Sequence, residues 1–229
     1  MNTTPEFLAH PFLSDAGVAH GFGQLGSLEP AGVIRPVQQH GTEVAFVCEG
    51  CDTYPGQADA IVSTFSGVPV GVMTADCVPV LLAMDGGRVV AAVHAGWRGI
   101  AKGVVPSAFE AMARAAAPWR HVTAVIGPHI GPCCYEVDSP VMERLRVRFA
   151  ELLDSALTPV DSAHSMLDLG ALVRAELIRA GVRPAEVGFF PEACTCCDVK
   201  RFHSHRRDGA RAGRLLHWIA ARAGDRVAS

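Results

Sequence analysis

Lysine is nearly missing from this chain of 229 residues: eighteen of its twenty basic residues are Arg, and only Lys102 and Lys200 are Lys. We read that bias as GC-rich coding, and twenty basic against twenty-three acidic residues leave a formal net charge of −3. No field of one sign covers the chain, so nucleic acid and acidic lipid drop out as principal partners. Long hydrophobic runs are absent as well. Pro, Gly, His or a charge interrupts every apolar stretch before the ~18 to 20 residues that a bilayer demands, residues 78–84 included. The first fifteen residues, MNTTPEFLAHPFLSD, hold no Lys, no Arg and no continuous apolar segment, so a secretory leader is not expected there. The expectation is a cytoplasmic chain with no membrane partner. No linker, repeat or low-complexity segment divides it, which predicts a single domain over residues 1–229.

What the chain does have is core material: 49% of its residues are hydrophobic, ample for one buried core at this length. A core of that size needs no covalent staples, so the eight cysteines, at 48, 51, 77, 133, 134, 194, 196 and 197, are expected to be thiols or metal ligands. Short Val-rich runs at 44–47, 60–63, 70–74, 78–83, 88–94, 122–126 and 187–190 predict strands. Apolar residues recurring at three and four predict helices over 105–117, 140–153, 168–180 and 210–223. Asp168 should cap the third of these and Gly181 should stop it, while Pro106 either opens or kinks the first. A strand-rich front followed by alternating helix and strand predicts an α+β fold, a mixed β-sheet covered by helices. Residues 200–226 carry eight basic residues against Asp208 and Asp225; a solvated helix face and a pocket for an anion are both open readings.

Two clusters carry chemistry. CTCC at 194–197 has the C-x-x-C spacing of a metal knuckle, with His203 and His205 close behind and Cys133 and Cys134 able to complete a set or merely to pack. TADCVPVLL at 74–82 runs into VVAAVHAGWRG at 89–99, which places Cys77 and His94 at the ends of two neighbouring strands. Gly96 and Gly99 around Trp97 and Arg98 suit a helix start that approaches an anion, and Gln38 and His40 in PVQQHGTEV supply another ligand. His, Cys and His are three legs of a zinc tetrahedron, although the spacings match no zinc-finger template.

QQHGTEV (38–44), ADAIVS (58–63), TADCVPVLL (74–82), HAGWRG (94–99), GPHIGPCCYEV (127–137) and CTCCD leading to FHSHRRDG (194–209) together resemble the YfiH-like family. That family is variously called multicopper polyphenol oxidase, laccase-domain protein, purine nucleoside phosphorylase and peptidoglycan editing factor. The resemblance implies a fold akin to that of a toxin deamidase using Cys and His, and zinc, or copper in its place, on His40, Cys77 and His94. It also implies catalytic roles for Cys77, His94 and Arg98, and binding of substrate or phosphate by Gln38, Arg98, Tyr135, Arg206 and Arg207. Asp76 or Glu136 could shuttle a proton, while Asp76 and Asp208 could equally cap turns or pair with arginines. The chain departs from common family usage at Gln39, His203 and His205.

The implied partners are small molecules, a purine nucleoside and inorganic phosphate. The implied reactions are phosphorolysis of adenosine, inosine, guanosine or methylthioadenosine, and deamination of adenosine. A runner-up reading makes Cys77 the thiolate nucleophile and His94 the base of an amidase or cysteine hydrolase editing peptidoglycan precursors. A four-copper oxidase calls for many His-x-His pairs, and only His203 and His205 form one, so oxidation of polyphenols would follow from copper bound at the His–Cys–His site. A protein whose zinc serves only its fold is the non-enzymatic alternative.

Overall fold

The computed structural model describes residues 6–50 and 55–223. In chain order they form α1 (Pro11–Asp15), β1 (His20–Phe22), β2 (Val44–Val47), β3 (Ala60–Ser63), β4 (Pro69–Thr74), β5 (Val78–Met84) and β6 (Val89–Ala95). There follow α2 (Trp97–Lys102), α3 (Val104–Ala116), β7 (Val122–Ile126), β8 (Glu136–Asp138), α4 (Ser139–Phe149) and α5 (Leu152–Ser155). The chain then runs through β9 (Leu157–Pro159), β10 (His164–Leu167), α6 (Leu169–Arg179), β11 (Val187–Phe189), α7 (His205–Asp208) and β12 (Leu215–Ala220).

β5 and β6 are buried at every residue because they are the middle of a six-stranded mixed sheet in the order β11-β7-β5-β6-β3-β2. Alternation along each strand divides the core. Val80, Leu82 and Met84 of β5, with Val89, Ala91 and Val93 of β6, pack under Val105, Ala108 and Met112 of α3 and Leu172 and Leu177 of α6. Leu81, Ala83, Val90 and Ala92 face the other way, onto Phe22, Val70, Val72 and Ile219 of a second, three-stranded sheet ordered β1-β12-β4. Each large aliphatic side chain removed from water there contributes about 1.5 to 3 kcal/mol. The α+β expectation holds, with the long helices on one face of the mixed sheet and a small sheet, beside the short α1, on the other.

Residues 210–223 are not a helix. β12 runs antiparallel between β1 and β4, with His217 opposite both Phe22 and Val72. Leu215, Leu216, Ile219 and Ala220 have helical spacing, but a strand buried on both faces is also continuously apolar, and only pairing partners distinguish the two. The helix expected at 140–153 is interrupted at Ala150, whose φ is 44°, and resumes as α5. Gly103, at φ 97°, separates α2 from α3 and leaves Pro106 in the first turn of α3, where its missing N–H costs nothing. Asp168 caps α6 as expected, accepting from the Ala171 N–H at 2.8 Å. One cysteine expectation is corrected: Cys48, half-buried just past the end of β2, is disulfide-bonded, whereas the thiols at 77, 133, 134, 194, 196 and 197 are free. Cys51 lies outside the described residues.

Candidate metal centre and pocket

β5 begins where β6 ends, with Pro79 opposite His94, so Cys77, one residue ahead of β5, comes beside the His94 side chain. On the other flank of β6 the residue before β3 is Asp59, fully buried, which accepts from His94 Nδ1 at 2.7 Å. Asp59 also gathers the backbone N–H groups of Gln39 (3.1 Å), His40 (2.9 Å) and Gly41 (2.6 Å). Those bonds stabilise a turn in which His40 adopts φ 56°, an unfavourable value for a residue with a Cβ. The turn delivers the His40 ring edge-on to His94, 4.8 Å between centroids. Donor atoms of His40, Cys77 and His94 all lie within 4.8 Å of one another.

Asp59 decides the electrostatics. Burial pushes its carboxyl up, but His94 and the Gly41 and Gln39 N–H groups outweigh burial and hold it at about 2. Burial likewise opposes the charged forms of His94 and Cys77, yet Asp59 and Cys77 raise His94 to about 9, and His40 and His94 bring Cys77 down to about 6. Among protein groups alone this is a thiolate–imidazolium pair at neutral pH. With Nδ1 committed to Asp59, Nε2 is the nitrogen of His94 turned to Cys77. The donor set suits a borderline-soft transition metal: two imidazoles, one thiolate already inclined to lose its proton, and a carboxylate orienting one ring. A Cβ on Gly96 would stand 2.9 Å from Cys77 Sγ and 3.1 Å from His40 Cδ2. Gly96 thus makes room for the donors, and Gly99 makes room for the Gly41 carbonyl.

Two cavities of about 380 Å³ each flank the triad and share His40, Cys77 and His205. One is walled by Gln38, Met73 and Arg214, the other by Trp97, Arg98, Tyr135 and Arg206. Arg98 is exposed, its guanidinium 4.4 Å from the Trp97 ring centroid. Arg206 lies over the Tyr135 ring at 5.1 Å and donates to the carbonyls of Glu136 (2.9 Å) and Cys134 (3.4 Å). Burial and the neighbouring Cys77 push the Tyr135 phenol up, so it stays neutral and able to donate.

Three expected binding or proton-transfer residues also bond to the protein itself. Arg207 donates to Asp208, to the carbonyls of Thr195 and Cys196, and to that of Phe202, which occupies all five of its N–H groups and leaves none for an anion. Gln38 spends its amide on the backbone of Met73, receiving at 2.7 Å and donating at 2.8 Å, and so pins the His40 turn to β4. Asp76 accepts from Thr195 Oγ1 (2.6 Å), Ser204 Oγ (3.1 Å) and the Arg206 N–H (2.6 Å), the capping role rather than the proton shuttle. Glu136 is exposed on β8 and lines neither cavity. Sequence reasoning passed over Asp59 and set His205 beside the CTCC knuckle and among the departures from family usage, not in the pocket. The signal for Asp59 was a carboxylate inside the apolar run ADAIVS, which cannot be buried there without partners.

A mixed sheet whose strand ends bring two His and a Cys to the mouth of a divided cavity defines an α+β class of enzyme-like pocket suited to a metal. The chain belongs to the multi-copper polyphenol oxidoreductase laccase family, whose model matches residues 20–222. It is 33% identical over 195 residues to adenosine deaminase RL5 from an unknown prokaryotic organism, spanning 82% of this chain and 74% of that one. Purine nucleoside phosphorylase SCO2081 of Streptomyces coelicolor is 37% identical over 193 residues, 84% of this chain and 76% of its own. The crystal structure of YlmD from Geobacillus stearothermophilus superposes with a TM-score of 0.82 at 26% identity, covering 97% of this chain and 98% of that one. No helix among the described residues is long and apolar enough to cross a membrane.

Proposed function

We propose that the protein is a zinc-dependent purine nucleoside phosphorylase acting on adenosine, inosine, guanosine or methylthioadenosine, with adenosine deamination as a second reaction in the same pocket. One observation carries the reading: the donors of His40, Cys77 and His94 converge within 4.8 Å on the boundary between two cavities, one of them walled by Arg98 and Arg206. Three protein ligands with an open side are the pattern of a catalytic rather than a structural zinc. The names of the relatives supply the reaction class.

His40, Cys77 and His94 would hold the metal, which when bound supplies Lewis acidity. The protein's own groups do the rest. Phosphorolysis breaks the bond from ribose C1′ to the purine nitrogen and forms one from C1′ to a phosphate oxygen, while positive charge builds on the ribose. Arg98 and the uncommitted N–H groups of Arg206 hold the phosphate dianion against that carbon, where its charge opposes the developing one. Tyr135 offers a neutral phenol and a ring face beside them, and His205 stands where the two cavities meet.

The test is stoichiometric. Release of hypoxanthine from inosine should require added phosphate and yield ribose 1-phosphate in equal amount. Arg98→Ala should raise the phosphate KM about tenfold or more with metal content unchanged, the cost of one charge-assisted contact. Inosine cleavage indifferent to phosphate, or no cleavage at all, defeats the proposal.

The chain Asp59–His94–Cys77 favours one second reading, an amidase or cysteine hydrolase acting on peptidoglycan precursors, in which the thiolate attacks the amide carbonyl, His94 protonates the departing amine, and water that gives its proton to His94 then cleaves the thioester and restores the thiolate. Cleavage of a muramoyl amino acid by metal-stripped protein that leaves inosine intact selects it. Copper on the same three donors would account for a polyphenol oxidase activity.

A further inference from the structure

Some 60 residues apart in sequence, Cys133 and Cys134 on one loop and Cys194 and Cys197 on another bring four sulfur atoms together, all within 4.8 Å of one another. We propose that these four thiols form a second metal site, a closed tetrathiolate centre for a soft d10 divalent cation, zinc by availability, which clasps the loop leading to Tyr135 onto the loop that follows β11.

The geometry is that of a tetrahedron waiting for a centre. Zinc–sulfur bonds of about 2.3 Å place the sulfurs of a four-thiolate site about 3.8 Å apart. Here Cys134 and Cys197 Sγ are 3.3 Å apart and Cys133 and Cys197 Sγ 3.6 Å. Cys197 therefore approaches two thiols at once, and pairing it with either as a disulfide would strand the other. The loops themselves are knuckles. Parallel β7 and β11 release them side by side, a bridge between His129 and Cys194 continues the pairing, and tight turns follow in which Cys134 N donates to Gly131 O and Asp198 N to Cys194 O, both at 3.0 Å. The Gly131 N–H donates to Cys194 Sγ at 3.2 Å, the kind of backbone bond that supports a thiolate ligand. His203 and His205 take no part: His203 packs on Gly213 and His205 lines the pocket.

Binding is proton exchange without redox. One divalent cation displaces the protons of four thiols to solvent and leaves a centre of net charge two minus. Arg206 and Arg207 stand by that charge, their guanidinium groups bonded to the carbonyls of Cys134 and Cys196. With no ligand position left open, the site serves architecture. The clasp reaches the first centre through Thr195, between two of the cysteines, whose hydroxyl donates to Asp76 beside Cys77. It also sets Tyr135, which follows Cys134 directly, under Arg206.

The experiment loads full-length protein, reduced and anaerobic, with zinc or cobalt. Wild type should bind about two equivalents per chain, and Cys77→Ala about one. In Cys77→Ala the cobalt that remains should give the intense visible bands and sulfur-to-metal charge transfer of a tetrahedral tetrathiolate. Cys197→Ser should also fall to one equivalent and keep only the spectrum of mixed nitrogen and sulfur ligands. Because Cys197→Ser could fail to fold, the Cys77→Ala titration, with the cluster intact, decides alone: no thiolate–cobalt absorption there overturns the proposal. So does a disulfide among these four residues in protein prepared without oxygen. Neither result bears on whether His40, Cys77 and His94 turn over inosine.

Discussion

The two donor clusters of this molecule are built on opposite plans. His40, Cys77 and His94 are brought together by two strand ends and a turn, mix nitrogen with sulfur, rest on a buried carboxylate, and border cavities. Cys133, Cys134, Cys194 and Cys197 are brought together by loops, are all sulfur, include two exposed members, and rest on backbone N–H groups. On the readings proposed above, the first would be a site whose ligands are held from behind so that one side stays open, and the second a site whose ligands hold each other so that no side does. Asp59 is the clearest sign of the first plan. It is a charge buried at a cost, repaid by four hydrogen bonds that aim one imidazole and shape the turn carrying another.

The largest effect that can break this comparison is loss of a donor. Cys77→Ala and His94→Ala should each abolish nucleoside turnover and remove one metal equivalent, as read by elemental analysis beside a phosphate-dependent inosine assay. If Cys77→Ala keeps its full metal content while Cys194→Ala loses all of it, the first cluster is no metal site and the division between open and closed centres collapses.

A smaller loss is expected from Asp59→Asn. Groups that orient a metal-bound histidine are worth 10- to 100-fold in affinity or activity, and an amide oxygen in the Oδ2 place can still accept from the Gln39 and Gly41 N–H groups while the NH2 in the Oδ1 place accepts from neither the His40 N–H nor His94. A competition titration with a chromophoric chelator should show roughly that weakening at one equivalent only, the other unaffected. Equal weakening at both would mean that Asp59 supports the whole fold and not the first centre.

What the sequence made legible follows from which residues answer to local rules. The strands at 44–47 and 60–63 and the Asp168 cap were readable because Val-rich alternation and a capping side chain act over a few residues. β12 was not, since its strand character comes from β1 and β4 on either side of it, nearly 200 and 150 residues away in sequence. The three donors His40, Cys77 and His94 stood out as His, Cys and His near strand ends, but spacings of tens of residues carry no rule of their own, and it was motif resemblance that singled them out as one metal site. Arg207 looked like an anion ligand because a sequence displays its charge and not its acceptors, all of which are carbonyls or its neighbour Asp208. Cys133 and Cys134 were visible as spare thiols beside a C-x-x-C, while their meeting with Cys194 and Cys197 depended on the parallel pairing of β7 with β11.

The smallest effect separates the fold's own response to acid from metal release. Protonation of thiolates empties both clusters as pH falls, so acid sensitivity alone cannot tell one centre from the other. His217 provides the baseline. It is fully buried on β12, hydrogen-bonded through Nε2 to Thr74 Oγ1 at 2.9 Å, with Nδ1 unpartnered, and burial, aided by the charge of His94, lowers it to about 3. In the unfolded chain the ring takes a proton near its ordinary value of 6.5, and in the fold it does not. The unfolded state therefore binds more protons as pH drops below that value, and stability declines from there toward pH 3. Metal-free protein should lose about 0.7 kcal/mol between pH 7 and pH 6 from this group, measured by denaturant unfolding at each pH. His217→Gln should flatten that slope while leaving metal release from both clusters where it was. If instead the slope of the metal-free protein is unchanged in His217→Gln, the acid response belongs to other groups, and the pH at which each centre empties has to be read against a different baseline.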